Sequence, residues 1–216
     1  MLSMLEEFVL LAVDERTGQL ESRHELGTGY ALIGAVFFDL ALTRKIDTDT
    51  EEIQILDTSA SGNLIWDRVI AEMRGRPDVK TVRDWIEAMF RRNDDLEGEA
   101  LASLVEQGIL QHEKTKRLWI IDVERFPLID GRAQKSVKER LAQAIFGDGI
   151  PDPRDIMLVS LAEPCGLLRC VASEPELKMR RERIEMLSNL ETISRKVVAA
   201  ITELDASFRH APPRLS

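Results

Sequence analysis

The sequence predicts a mainly α protein: a single globular helical domain over residues 2–204, one or two small β-hairpins, and a C-terminal tail at 205–216. Three observations carry this. Apolar residues recur at three-to-four spacing through most of the chain, as helices with one core-facing stripe require. Period-two alternation is confined to residues 46–57 and to the stretch after Gly108. No internal repeat or low-complexity linker divides the 216 residues, a length that one hydrophobic core can serve.

The first helix is expected over 2–13. Leu5, Phe8, Val9 and Ala12 form its apolar stripe, and Glu6 and Glu7 sit in the first turn, where the helix dipole favours acids. Asp14-Glu15-Arg16-Thr17-Gly18 ends it in a turn. Residues 30–42 are apolar on every side except at Asp39, which marks a helix buried in the protein and too short to cross a bilayer. Residues 46–57 read as strand and turn, and 58–62 as a loop. Helices follow at 64–74, 79–91 and 96–107; Gly75-Arg76-Pro77 parts the first two, and Gly108 sits where a C-cap glycine belongs. Beyond it, 109–113 and 118–122 flank Lys114-Thr115-Lys116-Arg117, a β-hairpin with a basic tip. Pro127 keeps 126–129 extended. Helices are then expected at 133–146, 153–162 and 166–171. A long one closes the chain at 176–204, where Leu177, Ile184, Leu187, Leu190, Ile193, Val197, Ile201 and Leu204 form one stripe.

Lys and Arg number 29 against 38 Asp and Glu, a formal net charge of -9, whereas a DNA-backbone binder normally shows a basic footprint. The charge is uneven. Residues 1–108 carry 11 basic and 22 acidic side chains, and 109–216 carry 18 basic and 16 acidic, so the second half more easily builds an anion-facing surface. Cys165 and Cys170 have neither redox nor zinc spacing, and the N-terminus lacks the basic region of a signal peptide; a cytoplasmic protein with reduced thiols is expected.

His24, His112 and His210 match no metal-ligand pattern, and no phosphate-cradling glycine loop or nucleophile motif occurs. No catalytic residue, metal or cofactor is expected, and the chain does not read as an enzyme. Asp94-Asp95 with Glu97 and Glu99 read as acids at a helix start. Trp66 and Trp85 read as core. Trp119, Phe126 and Leu128 either form an exposed apolar patch for a partner or a bilayer, or pack back on the bundle. Lys178, Arg180, Arg181 and Arg183 open the last helix against its dipole, and the solvated-face reading pairs them with the interleaved glutamates.

Several segments together resemble the Golgi phosphoprotein 3 family, including its fungal vacuolar-sorting relatives. They are Leu2-Ser3-Met4-Leu5-Glu6-Glu7-Phe8-Val9-Leu10-Leu11-Ala12-Val13 with Gly18, the run from Leu32 to Leu42, Trp85-Ile86-Glu87, Leu104-Val105-Glu106-Gln107-Gly108-Ile109-Leu110, and Asp122 with Pro127. The resemblance covers roughly residues 2–204. It implies a peripheral membrane protein that binds phosphatidylinositol 4-phosphate or another anionic lipid and, in Golgi forms, the protein tails of glycosyltransferases. It also implies membrane contact and homo-oligomer formation through the hairpin, here Trp119 to Leu128. Golgi members hold the headgroup with a Trp in the loop before the buried helix, an Arg ahead of paired small residues, and two Args one helical turn apart. The matching positions here are His24, Ile33, and Asp94 with Glu97. Arg23, His24, Arg91 and Arg92 are the local candidates to rebuild an anion site, because phosphate needs cationic donors.

Two other readings compete. One is a protein–protein adaptor of the same fold that has lost phosphoinositide binding, consistent with Asp94 and Glu97. The other is a winged-helix-type DNA-binding regulator built on 96–121, against which the net charge weighs; no nucleic-acid partner is expected.

Overall fold

The computed structural model describes residues 1–20, 25–48, 52–117 and 121–209. Helix α1 (Met4–Ala12) starts at Ser3, whose hydroxyl accepts from the Glu6 amide while the Glu6 carboxylate accepts from the Ser3 amide. It packs on α2 (Glu25–Leu42), and these two helices make the centre of the molecule. A short antiparallel pair follows, β1 (Ile46–Asp47) and β2 (Gln54–Ile55), then α3 (Leu64–Gly75), α4 (Val82–Arg92) and α5 (Leu96–Glu106). Strands β3 (Glu113–Arg117) and β4 (Ile121–Arg125) form the second hairpin. Then come α6 (Arg132–Phe146), α7 (Pro153–Ala162), a 3₁₀ turn at Leu167–Cys170, α8 (Glu174–Met179), α9 (Arg181–Ser188) and α10 (Thr192–Arg209). Helices α1, α4, α7 and α10 surround α2. The mainly α class with two small hairpins is what the sequence predicts.

The first helix differs from its expected one-sided pattern, because all nine of its residues are buried. Its two glutamates therefore need partners inside the protein. Glu6 accepts from the hydroxyl of Ser103 and the amide of Gln107 on and just after α5. Glu7 takes Arg140 of α6 at 2.8 Å and Arg154 of α7 at 3.2 Å. Arg154 also donates to the Leu2 carbonyl. Asp39 of α2 faces the start of α1, and the Gln134 amide donates to the Leu10 and Val13 carbonyls at its end. Every polar group that α1 carries inward is thereby met by another element.

Two expected elements are redrawn. The long C-terminal helix is three, broken at Arg180 and again at 189–191, and Leu190 is exposed instead of joining the core stripe. The first break has a tertiary cause. Arg183 donates to the Ala144 and Gly149 carbonyls, and the Arg180 guanidinium lies 5.8 Å from the centre of the Phe146 ring. These cations serve the C-terminal end of α6, where the dipole favours them, which explains their place at the start of α9. The second redrawn element is the hairpin. Lys114, Thr115, Lys116 and Arg117 are not its tip but strand residues, paired with Glu124, Val123, Asp122 and Ile121. This register sets Lys114 opposite Glu124, and their side chains pair at 2.9 Å. The turn at 118–120 lies outside the described residues. Trp85 is buried and Trp66 half-buried against the core.

Candidate functional site

Two of the four positions that the resemblance matches to a headgroup site, Ile33 and Asp94, meet where α4 hands over to α5. Asn93, in the left-handed conformation, ends α4 with its amide on the Phe90 carbonyl at 3.1 Å. Two residues later Asp95 caps α5, accepting from the Gly98 amide at 2.9 Å. This tight junction sets Asn93 and Asp94 over the first half of α2. Gly29 permits the approach: a Cβ there would lie 2.7 Å from the Phe90 ring.

The result is a cleft of about 310 Å³, lined by Gly29, Leu32, Ile33, Met89, Phe90, Asn93, Asp94 and Leu96. Ile33 and Asp94 thus share one site across a long stretch of chain. Asp94 is the one charged group in its lining among the described residues. The cleft is an apolar slot with a carboxylate at its mouth, a poor match to phosphate.

The two described arginines named as replacements turn elsewhere. Arg92 pairs with Glu72 and reaches Asp94 at 3.3 Å; Arg91 pairs with Glu87 one turn back on α4. Both line a separate hollow of about 430 Å³ with Arg76, Val79 and Asp84. Arg23, His24 and Trp119 lie outside the described residues.

Glu97 faces a second and larger depression, which sequence reasoning did not single out. It is a groove of about 790 Å³ between α5, Gln19-Leu20 and the foot of the β3–β4 hairpin. The carboxylates of Asp95, Glu97, Glu106 and Glu124 line it, over Leu20, Leu101, Ala102, Val105 and Phe126. The hairpin foot is stitched in place by the Phe126 amide, which donates to the Gly18 carbonyl at 2.6 Å, and by Gln111 to Pro127 at 2.9 Å. Gly18 has φ of 65°, and a Cβ there would stand 2.6 Å from the Pro127 nitrogen, so the contact requires glycine.

Phe126 stacks on His112, ring centres 4.9 Å apart and planes 5° from parallel. Leu128 bridges to Leu110. Both are half-buried against the core, and Ile129 is the exposed apolar residue beside them.

The groove's acids differ in their surroundings. Glu124 is held below the usual carboxylate range, chiefly by the hydrogen bond from Lys114. Burial, with Asp95 close by, pushes Glu97 up. The signal that could have found the groove is the pairing of Asp95, Glu97 and Glu106 with the apolar Leu101 and Val105 on one helix.

Among the described residues, no helix is long and apolar enough to cross a membrane, and no cluster of three His, Cys, Asp or Glu could hold a metal ion.

Residues 4–204 match the family described as Golgi phosphoprotein 3 (GPP34). Vacuolar protein sorting-associated protein 74 of Eremothecium gossypii is 26% identical over 178 residues, covering 73% of this chain and 51% of the relative. The chain spans about half the length of that curated relative.

Proposed function

Because the chain belongs to the Golgi phosphoprotein 3 family, we propose that it acts without catalysis as a cytoplasmic, peripheral adaptor, with protein tails as its principal ligand. One observation carries the preference for protein over phosphoinositide. The cleft at the α2–α4–α5 junction holds Ile33 and Asp94, while Arg91 and Arg92 are engaged by Glu87 and Glu72. Two like unit charges about 4 Å apart repel by about 4 kcal/mol at an effective dielectric of about 20. A phosphomonoester beside Asp94 meets that repulsion, and Arg92, which reaches Asp94 at 3.3 Å, is already shared between Asp94 and Glu72. The relative's name ties it to protein sorting, which agrees with a role in recognising other proteins.

A second reading keeps an anionic lipid headgroup as ligand. Arg91 and Arg92 stand immediately before the Asn93-Asp94 turn, and Arg23 and His24 precede α2 in the chain. Self-association through the hairpin belongs to either reading.

The deciding measurement is flotation with vesicles carrying phosphatidylinositol 4-phosphate, with vesicles of other anionic lipids, and with neutral vesicles displaying a basic protein tail. The adaptor reading expects recruitment by the tail alone. Salt-sensitive recruitment by bare anionic vesicles, lost on changing Arg91 and Arg92 together to Ser, would establish the lipid reading instead.

A further inference from the structure

We propose that the groove between the end of α7, the 3₁₀ turn and helices α8 and α9 binds a small zwitterion with apolar side chains, such as an apolar dipeptide, with Lys178 receiving its carboxylate and Glu163 its ammonium group. The groove shares no lining residue with the junction cleft, the arginine hollow or the depression beside α5. The proposal neither rests on the adaptor reading nor decides it.

The backbone makes the space. Gly166, with φ of 71°, turns the chain out of α7 into the 3₁₀ turn, and a Cβ there would meet nothing within 4 Å. The chain comes back through α8, which packs on that turn, and α9, which packs on α7. Between them lies a groove of about 460 Å³, inside the range of ~300–1,000 Å³ typical of small-molecule sites. Buried Leu168 and Ile184 and half-buried Leu177 make its apolar floor.

The rim selects the ligand. Among the described residues it carries three cations and three carboxylates, so it exerts no net pull on a strongly charged surface of either sign. Four of the six charges are already closed: Arg169 holds Glu174 at 2.8 Å, and Arg181 holds Glu185 at 2.8 Å. Lys178 and Glu163 are left over. Neither enters an ion pair or a side-chain hydrogen bond among the described residues, with each other or with any other group. One cation and one carboxylate, standing apart over an apolar floor, are the complement of a molecule with one carboxylate, one ammonium and an apolar body. Both charged hydrogen bonds belong to the stronger class, and the apolar body removes the floor from water. A dipeptide suits the floor better than a free amino acid. It brings two apolar side chains, for Leu168 on the turn and Ile184 on α9, and sets its two charges farther apart.

The test is a nuclear magnetic resonance titration of the isotope-labelled full chain with leucyl-leucine. Saturable shifts are expected at the amides of Gly166, Leu168, Leu177 and Ile184, and not at those of Ile33 or Phe126. Leucyl-leucine amide, N-acetyl-leucyl-leucine and glycylglycine each lack one feature and should bind at least roughly tenfold more weakly. Lys178→Gln and Glu163→Gln alter exposed side chains and should each cost roughly tenfold, with the rest of the amide spectrum unchanged. Lys178→Gln should not weaken the amide form further, nor Glu163→Gln the acetylated form, since the partner group is already missing. Lys135→Gln, exposed on α6 outside the groove, controls for loss of a cation and should bind as the parent does.

No saturable shift with leucyl-leucine, or shifts centred elsewhere, overturns the proposal. Equal binding of glycylglycine overturns it, because charge alone then suffices. Equal binding of the acetylated and amidated dipeptide overturns it as well, and marks the groove as a seat for the interior of a polypeptide. An affinity that neither Lys178→Gln nor Glu163→Gln changes does the same.

Discussion

Both carboxylate oxygens of Asp39 lie 2.9 Å from the backbone nitrogen of Met4, joining the last turns of α2 to the first residue of α1. Asp39 is almost fully buried, and Arg154 approaches it to 3.8 Å. Burial nevertheless prevails, and it raises the pKa of Asp39 from 3.8 to about 6. The native state therefore favours the protonated acid more than the unfolded state does. The stability this contributes is fully present below about 3.8 and is lost as pH rises through about 6. It amounts to about 3 kcal/mol at 1.36 kcal/mol per pKa unit. Urea unfolding of the parent and of Asp39→Asn across pH 4–7.5 should show the parent losing more stability than the variant in that window. Asp39→Ala strands the Met4 amide and should cost about 1–3 kcal/mol at neutral pH.

Arg154 meets Glu7, the Leu2 carbonyl and Asp39 with one guanidinium. Truncation leaves two buried carboxylates underpaired. Arg154→Ala should destabilise the protein by about 3–5 kcal/mol, and Arg154→Lys should recover only part, since an ammonium cannot match the fork of contacts. Denaturant midpoints of the three proteins measure this.

Gly18 holds the hairpin foot against the turn after α1. Gly18→Ala adds a left-handed-region penalty of about 1–2 kcal/mol to a backbone clash with Pro127, so the foot must move. Amide exchange at Phe126 should accelerate far more than exchange in α2. Unchanged protection there would mean that the stitch is not what holds the hairpin.

Glu97→Gln should raise the thermal midpoint of the unliganded protein near pH 7, because it removes a charge that burial and Asp95 disfavour. The advantage should shrink as pH falls and the parent's own Glu97 takes up a proton.

Local chemistry made much of the fold legible. Asp152 with Pro153 starts α7 at the position expected, Ser3 with Glu6 starts α1, and Gly108 (φ 70°) follows α5 as a C-cap glycine should. What escaped was set by distant partners. The break at Arg180 serves α6, and the register of β3–β4 is chosen by pairings such as Lys114 with Glu124, which period-two alternation cannot see. The apolar stripe of α1 was visible, but the sequence read Glu6 and Glu7 only as first-turn acids favoured by the helix dipole, not as groups that α5, α6 and α7 enclose. At the site, the order of family segments placed Ile33 and Asp94 together. The groove needed the hairpin folded against α5, an encounter between segments that no single window contains.

The wholesale burial of α1 bears on how the chain is made. Met4–Ala12 leaves the ribosome before the side chains that meet its polar groups, Gln134, Arg140 and Arg154, which are translated long afterwards. Until then an apolar segment with two glutamates waits exposed, a nascent stretch suited to chaperone capture and slow to reach its final partners. A segment made well ahead of its partners is thus among the last to leave water.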